Sequence, residues 1–211
     1  MGFSLRTLTA LLFFCLISMI AQAQQFSADV VYLDTNSLNA LANGSAGTPR
    51  LSSRIYVSSD KIRLETGGVT GTILLVDRTE RTAVALQPGK KAYQPLASGP
   101  SEYFRVDNVD DACPNWRSVA DEKIFCEKVG PELVNGRETV KYQNKGASES
   151  APAVVWIDKA LKFVIKWQAA GIGADLRNIK EEQQAAGLFA LPSDYKMAAP
   201  QKAAFKGFAH K

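Results

Sequence analysis

The side chains able to do chemistry are few and poorly spaced for catalysis. In 211 residues the only histidine is His210, next to last. A buried imidazole base, or a metal site needing two histidines, is thereby excluded. No Gly-x-Ser-x-Gly elbow, Walker loop or Gly-x-Gly-x-x-Gly turn occurs. Asp107, Asp110 and Asp111 present carboxylate oxygens of the kind calcium takes, without the spacing or turn glycine of a helix–loop–helix site. The chain is therefore expected to be no enzyme and to carry no metal or cofactor. A hydrolase built on a carboxylate pair assembled only by folding ranks third among the readings.

Three cysteines are present, Cys15, Cys113 and Cys126. Cys15 falls in a leader-like segment. Arg6 is a short basic start, 8–20 is largely apolar, and Ala21-Gln22-Ala23 has the small-x-small form that signal peptidase accepts. The apolar run is shorter than the roughly 20 residues of a membrane span. Phe14 before Cys15 is too large for lipoprotein processing. Export to the periplasm, or secretion, with cleavage after Ala23 is expected. In that oxidising compartment Cys113 and Cys126 are expected to form one structural disulfide.

The formal charge of +4 is largely local. Arg6 leaves with the leader, and Lys196, Lys202, Lys206 and Lys211 sit in a closing segment without an acid. The body carries no basic excess, so no nucleic-acid partner is expected.

The elements that must position any site are strands. Short β-branched and aromatic runs recur between turn residues across 26–191, the pattern of an antiparallel meander. In 61–66, Ile62 and Leu64 alternate with Lys61, Arg63 and Glu65, as in a half-buried strand. The run 72–77 is apolar on both faces. Pro88-Gly89 reads as a type II turn and Asn135-Gly136 as a tight hairpin turn. Segments 153–157 and 163–167 form a hairpin; with a two-residue turn at Lys159-Ala160, Trp156 would face Phe163. Segment 97–122 reads as an irregular insertion, with a short helix near 101–104, held down by the disulfide. About ten strands and little helix are expected.

Four stretches in order carry a resemblance: Gly136-Arg137-Glu138-Thr139-Val140-Lys141-Tyr142, Val155-Trp156-Ile157-Asp158, Leu176-Arg177-Asn178-Ile179, and Leu188-Phe189-Ala190-Leu191-Pro192 with Tyr195. This series resembles the LolA/LolB-like superfamily of outer-membrane lipoprotein localisation factors and its uncharacterised relatives. The resemblance implies a mainly β (α+β) fold, a curved antiparallel sheet forming an incomplete barrel over short helices. It also implies a cavity for acyl chains or another apolar ligand.

The organisation expected is a signal peptide over 1–23, one half-barrel domain over 24–195 and a basic flexible tail over 196–211. The function expected is a periplasmic binding or carrier protein for an apolar small molecule or lipid. An envelope protein-interaction or sensory module is the alternative. Trp156 and Trp167 are the candidate cavity residues, because aromatics dominate concave apolar sites. Arg63 is the candidate polar contact. Envelope proteins, or a membrane surface met through Phe205, Phe208 and the tail lysines, are secondary partners. A monomer is expected.

Overall fold

The computed structural model describes residues 25–33, 50–66, 71–96, 104–119, 123–146 and 152–198. The leader, the Cys15 assignment, most of the 36–50 loop, the helix expected near 101–104 and the tail from 199 onward lie outside the described residues.

Among the described residues, one open sheet contains twelve strands. The first half is a meander: β1 (Phe26–Leu33), β2 (Arg50–Val57), β3 (Lys61–Glu65), β4 (Ile73–Asp77), β5 (Thr82–Gln87) and β6 (Ala92–Leu96). The second half comprises β7 (Ile124–Val134), β8 (Arg137–Gly146), β9 (Ala153–Asp158), β10 (Phe163–Ala169) and β11 (Ile172–Glu181). β11 pairs with β1, so the first strand of the domain joins the two meanders in mid-sheet. The edges are β7 and the two-residue β12 (Lys196–Met197), which runs parallel to β6. Lys196 and Met197, expected in the tail, are thus part of the sheet. No helix of the described residues is long and apolar enough to cross a membrane.

Turn chemistry sets the registers. Asn135 and Gly136 have φ of 51° and 77°, the two positive values of a type I′ hairpin. Ala170 and Gly171, at 48° and 79°, repeat the device between β10 and β11. The type II turn read at Pro88-Gly89 is not what forms. Pro88–Lys90 makes a 3-10 turn, and Lys91 takes the left-handed conformation at φ 45°. The two-residue turn at Lys159-Ala160 is also corrected. Asp158 Oδ1 accepts from the backbone N–H of Ala160 and Leu161 at 2.9 and 2.8 Å, and Lys162 closes the loop at φ 51°. A register shift between Val164 and Lys166 follows, so Trp156 faces Lys166 and Phe163 faces Asp158.

Two apolar clusters form. The larger fills the concave side of β1–β5 with Phe26, Val30, Ile55, Val57 and Ile62, and meets Phe163 and Ile165 of β10. The second lies under the single α-helix of the described residues, α1 (Cys113–Val119). Trp116 of α1 is 1% exposed and stands edge-on to Tyr142, ring centres 5.4 Å apart. The Tyr142 hydroxyl donates to the Val109 carbonyl at 2.9 Å and accepts from the Ala112 N–H at 3.3 Å. The Cys113–Cys126 disulfide forms, tying α1 to β7. Residues 104–119 are thus more than a stapled loop: they have their own core, a strand bridge from Arg105 to Phe163 and a backbone bond from Val106 N–H to the Lys162 carbonyl.

Candidate functional site

Alternation along neighbouring strands places one set of side chains on the concave face. Ile55 faces Leu64, Leu64 faces Leu74, Ile62 faces Val76, and Val76 faces Ala83 across three consecutive ladders. These residues, with Val30 and Leu176 from the mid-sheet junction, line a cavity of about 190 Å³. Phe104, Phe163, Ile165 and Trp167 wall its far side. Among the described lining residues none carries a charged side chain. Leu64, Leu74, Leu96, Phe104 and Trp167 stay only half-buried although they point into the fold, so apolar surface remains reachable from solvent. A fully closed core would have taken that area out of water, at roughly 25 cal/mol per Å².

Trp167 is positioned by a close backbone approach. A Cβ on Gly173, the neighbour of its ladder partner Ala174, would lie 2.6 Å from the Trp167 carbonyl oxygen. Glycine at 173 therefore lets β11 lie tight against the Trp167 backbone. The indole packs against both apolar clusters, at the seam between cavity and helix-covered core.

The other two residues singled out from sequence stand elsewhere. Trp156 is 4% exposed and is not among the cavity-lining residues. Its ladder partners are Lys141 and Lys166. Their ammonium nitrogens lie 4.9 and 4.5 Å from the ring centre, so the indole is covered by cations. Arg63 points away from the cavity, as alternation with Ile62 and Leu64 requires. Its Nε meets Glu65 at 2.6 Å, and its Nη1 donates to the Leu188 carbonyl at 2.9 Å. That carbonyl belongs to the 3-10 turn Ala186–Phe189, which packs on β3. Trp156 thus belongs to the larger apolar cluster on which Trp167 packs, yet of the three residues only Trp167 lines the cavity.

Asp107 and Asp110 are engaged separately, Asp107 with Asn115 Nδ2 at 2.9 Å and Asp110 with Lys128 Nζ at 2.8 Å. No group of three or more metal-ligating side chains occurs among the described residues.

No protein-family model matches the chain, and no curated protein matches it. Solved structures do resemble it. A chain of the Pseudomonas aeruginosa MucA/MucB complex is 14% identical, with a TM-score of 0.48 over 82% of this chain and 57% of the other. This chain thus spans less than two thirds of that one. A LolA superfamily protein from Nitrosomonas europaea is 10% identical, with a TM-score of 0.35 over 80% of this chain and 90% of the other. A DUF1329 family protein from Desulfovibrio piger gives 10%, 0.35, 83% and 93% in the same order.

Proposed function

We propose that the protein is an exported carrier that shelters an apolar ligand in the concave cavity. The observation that carries this reading is the half-buried wall of Leu64, Leu74, Leu96 and Trp167 around a cavity whose described lining residues include no charged side chain. An engineered cavity of about 150 Å³ lined by Leu, Ile and Phe stays dry and takes up benzene, while sites for drug-sized ligands run to about 300–1,000 Å³. A cavity of about 190 Å³ therefore suits one segment of an acyl chain better than a whole lipid. Trp167 is the residue assigned to ligand contact. Binding draws on burial of apolar surface and needs no covalent step. The leader over 1–23 delivers the domain to the periplasm, where the Cys113–Cys126 bond persists.

Native mass spectrometry of protein purified without detergent tests this directly. A lipid-mass adduct, or saturable uptake of a fluorescent fatty-acid analogue, is the expected result. A clean apo mass with no uptake would overturn the reading. A second reading, docking of an envelope protein, draws on the open edge of β7, where Phe125, Val129 and Leu133 are 60%, 50% and 70% exposed. In the same measurement it predicts a protein-mass adduct in place of a lipid.

A further inference from the structure

The concave face is closed at one end and open at the other. One row of ladder partners, Phe26, Val57, Ile62, Val76 and Ala83, crosses β1 to β5 and is buried throughout. Exposure climbs along the strands from that row. On β1, Phe26 and Ala28 are at 0%, Val30 is at 5% and Tyr32 at 37%. On β3 and β4, buried Ile62 and Val76 give way to half-buried Leu64 and Leu74. On β10, Phe163 and Ile165 are buried and Trp167 is half-buried. On β11, Leu176 and Ala174 are at 6% and 4%, and Ile172, one step beyond the lining residues, is at 50%.

The rim is a single row. Tyr32 and Trp167 both oppose Ala174, one from each neighbouring strand, and all three line the cavity. Residues opposed in a ladder share a face, so the two rings flank a methyl group. Their backbones are two strand spacings apart, roughly 9.5 Å. A larger side chain at 174 would fill the gap between them. Each ring has an apolar body and a polar tip, a phenol hydroxyl or an indole N–H, which suits a boundary between oil and water. The closed end differs. Its lining residues Ile62, Val76, Ala83, Phe163 and Ile165 are all apolar. A polar head placed among them would lose its water with no side-chain partner in return.

We propose that Tyr32, Ala174 and Trp167 form the mouth of the cavity, through which one acyl chain of a single-chain amphiphile enters methyl end first while its polar head stays at the ring tips. The small side chain of Ala174 is what admits the chain. The proposal rests on the reading of the cavity as an apolar-ligand site, and adds the direction of the ligand and the residue that gates it.

Fluorescence quenching by brominated chains reads the direction. Saturating α-bromododecanoate and ω-bromododecanoate carry the quencher beside the head and at the tail. A Trp167→Phe reference protein subtracts the emission of Trp116 and Trp156. The α-bromo chain should cause the greater loss of Trp167 emission. The reverse order, or equal quenching, would overturn the mouth while leaving the cavity reading intact. Failure of both chains to bind would overturn the two together. In folded Ala174→Leu protein, affinity for a fluorescent fatty-acid analogue should fall about tenfold, the worth of roughly two buried methylenes. Unchanged affinity there would overturn the gating role. Should that variant not fold, the quenching order in the unmodified site still decides.

Discussion

Arg63 of β3 donates through Nη1 to the carbonyl of Leu188, 2.9 Å away and 125 positions on in the chain. This bond fixes the closing 3-10 turn against the sheet. Arg63→Ala should lower stability by about 1–2 kcal/mol, the scale of a lost charged hydrogen bond that leaves a carbonyl unpaired. Urea denaturation reads that loss. Uptake of the fatty-acid probe should not change, because the guanidinium faces away from the cavity.

The two indoles of the β9–β10 hairpin should separate in the same assays. Trp156→Ala removes a ring buried beneath Lys141 and Lys166, and should cost about 3 kcal/mol or more. Probe affinity in the folded variant should stay as in the parent. Trp167→Ala opens the cavity wall and should weaken uptake several-fold at a smaller cost in stability. The reverse pattern would move the binding site to the outer face.

The sheet was largely legible in the residues; the site was not. Ile62 and Leu64 alternating with Arg63 fix which face of β3 is buried, and Asn135-Gly136 names its own turn. Trp156 could not be placed in this way. Its face depends on the register of the 158–163 loop, which Asp158 sets by accepting two backbone N–H groups, and on the shift after Val164. A one-residue change there moves every side chain to the opposite face. Trp116 drew no attention because Cys113-Pro114 reads as a loop. Proline at the first turn is nevertheless a helix-start signal, and it begins α1.

The disulfide holds α1 against β7 across a sequence separation of 13. Closing a loop of this size contributes about 3 kcal/mol in the chain-entropy description. Cys113→Ser with Cys126→Ser should lower the urea midpoint accordingly. The loss should be concentrated around Trp116, whose fluorescence should shift to the red. An unchanged midpoint would show that the Trp116–Tyr142 core holds the segment by itself.

Asp77 sets a pH dependence. The backbone N–H of Glu80, 3.0 Å away, is the main influence holding its carboxyl below the usual aspartate range, followed by Lys61. A depressed folded-state value means that the carboxylate's stabilisation is fully present above about pH 4 and is lost as pH falls through the lower folded value. Stability of the parent should therefore drop more steeply on acidification below pH 4 than stability of Asp77→Asn. Parallel curves in pH-dependent urea titrations would contradict the assignment.

The central claim is that an apolar chain lies between the concave strands and Trp167. The most direct measurement is isotope-filtered nuclear Overhauser spectroscopy on the protein loaded with ¹³C-labelled dodecanoate. The account predicts contacts from the chain to the methyls of Leu64, Leu74 and Val76 and to the Trp167 ring, and none to Trp156. Contacts confined to Trp156 and the β7 edge, or no intermolecular contacts in a saturated sample, would contradict it.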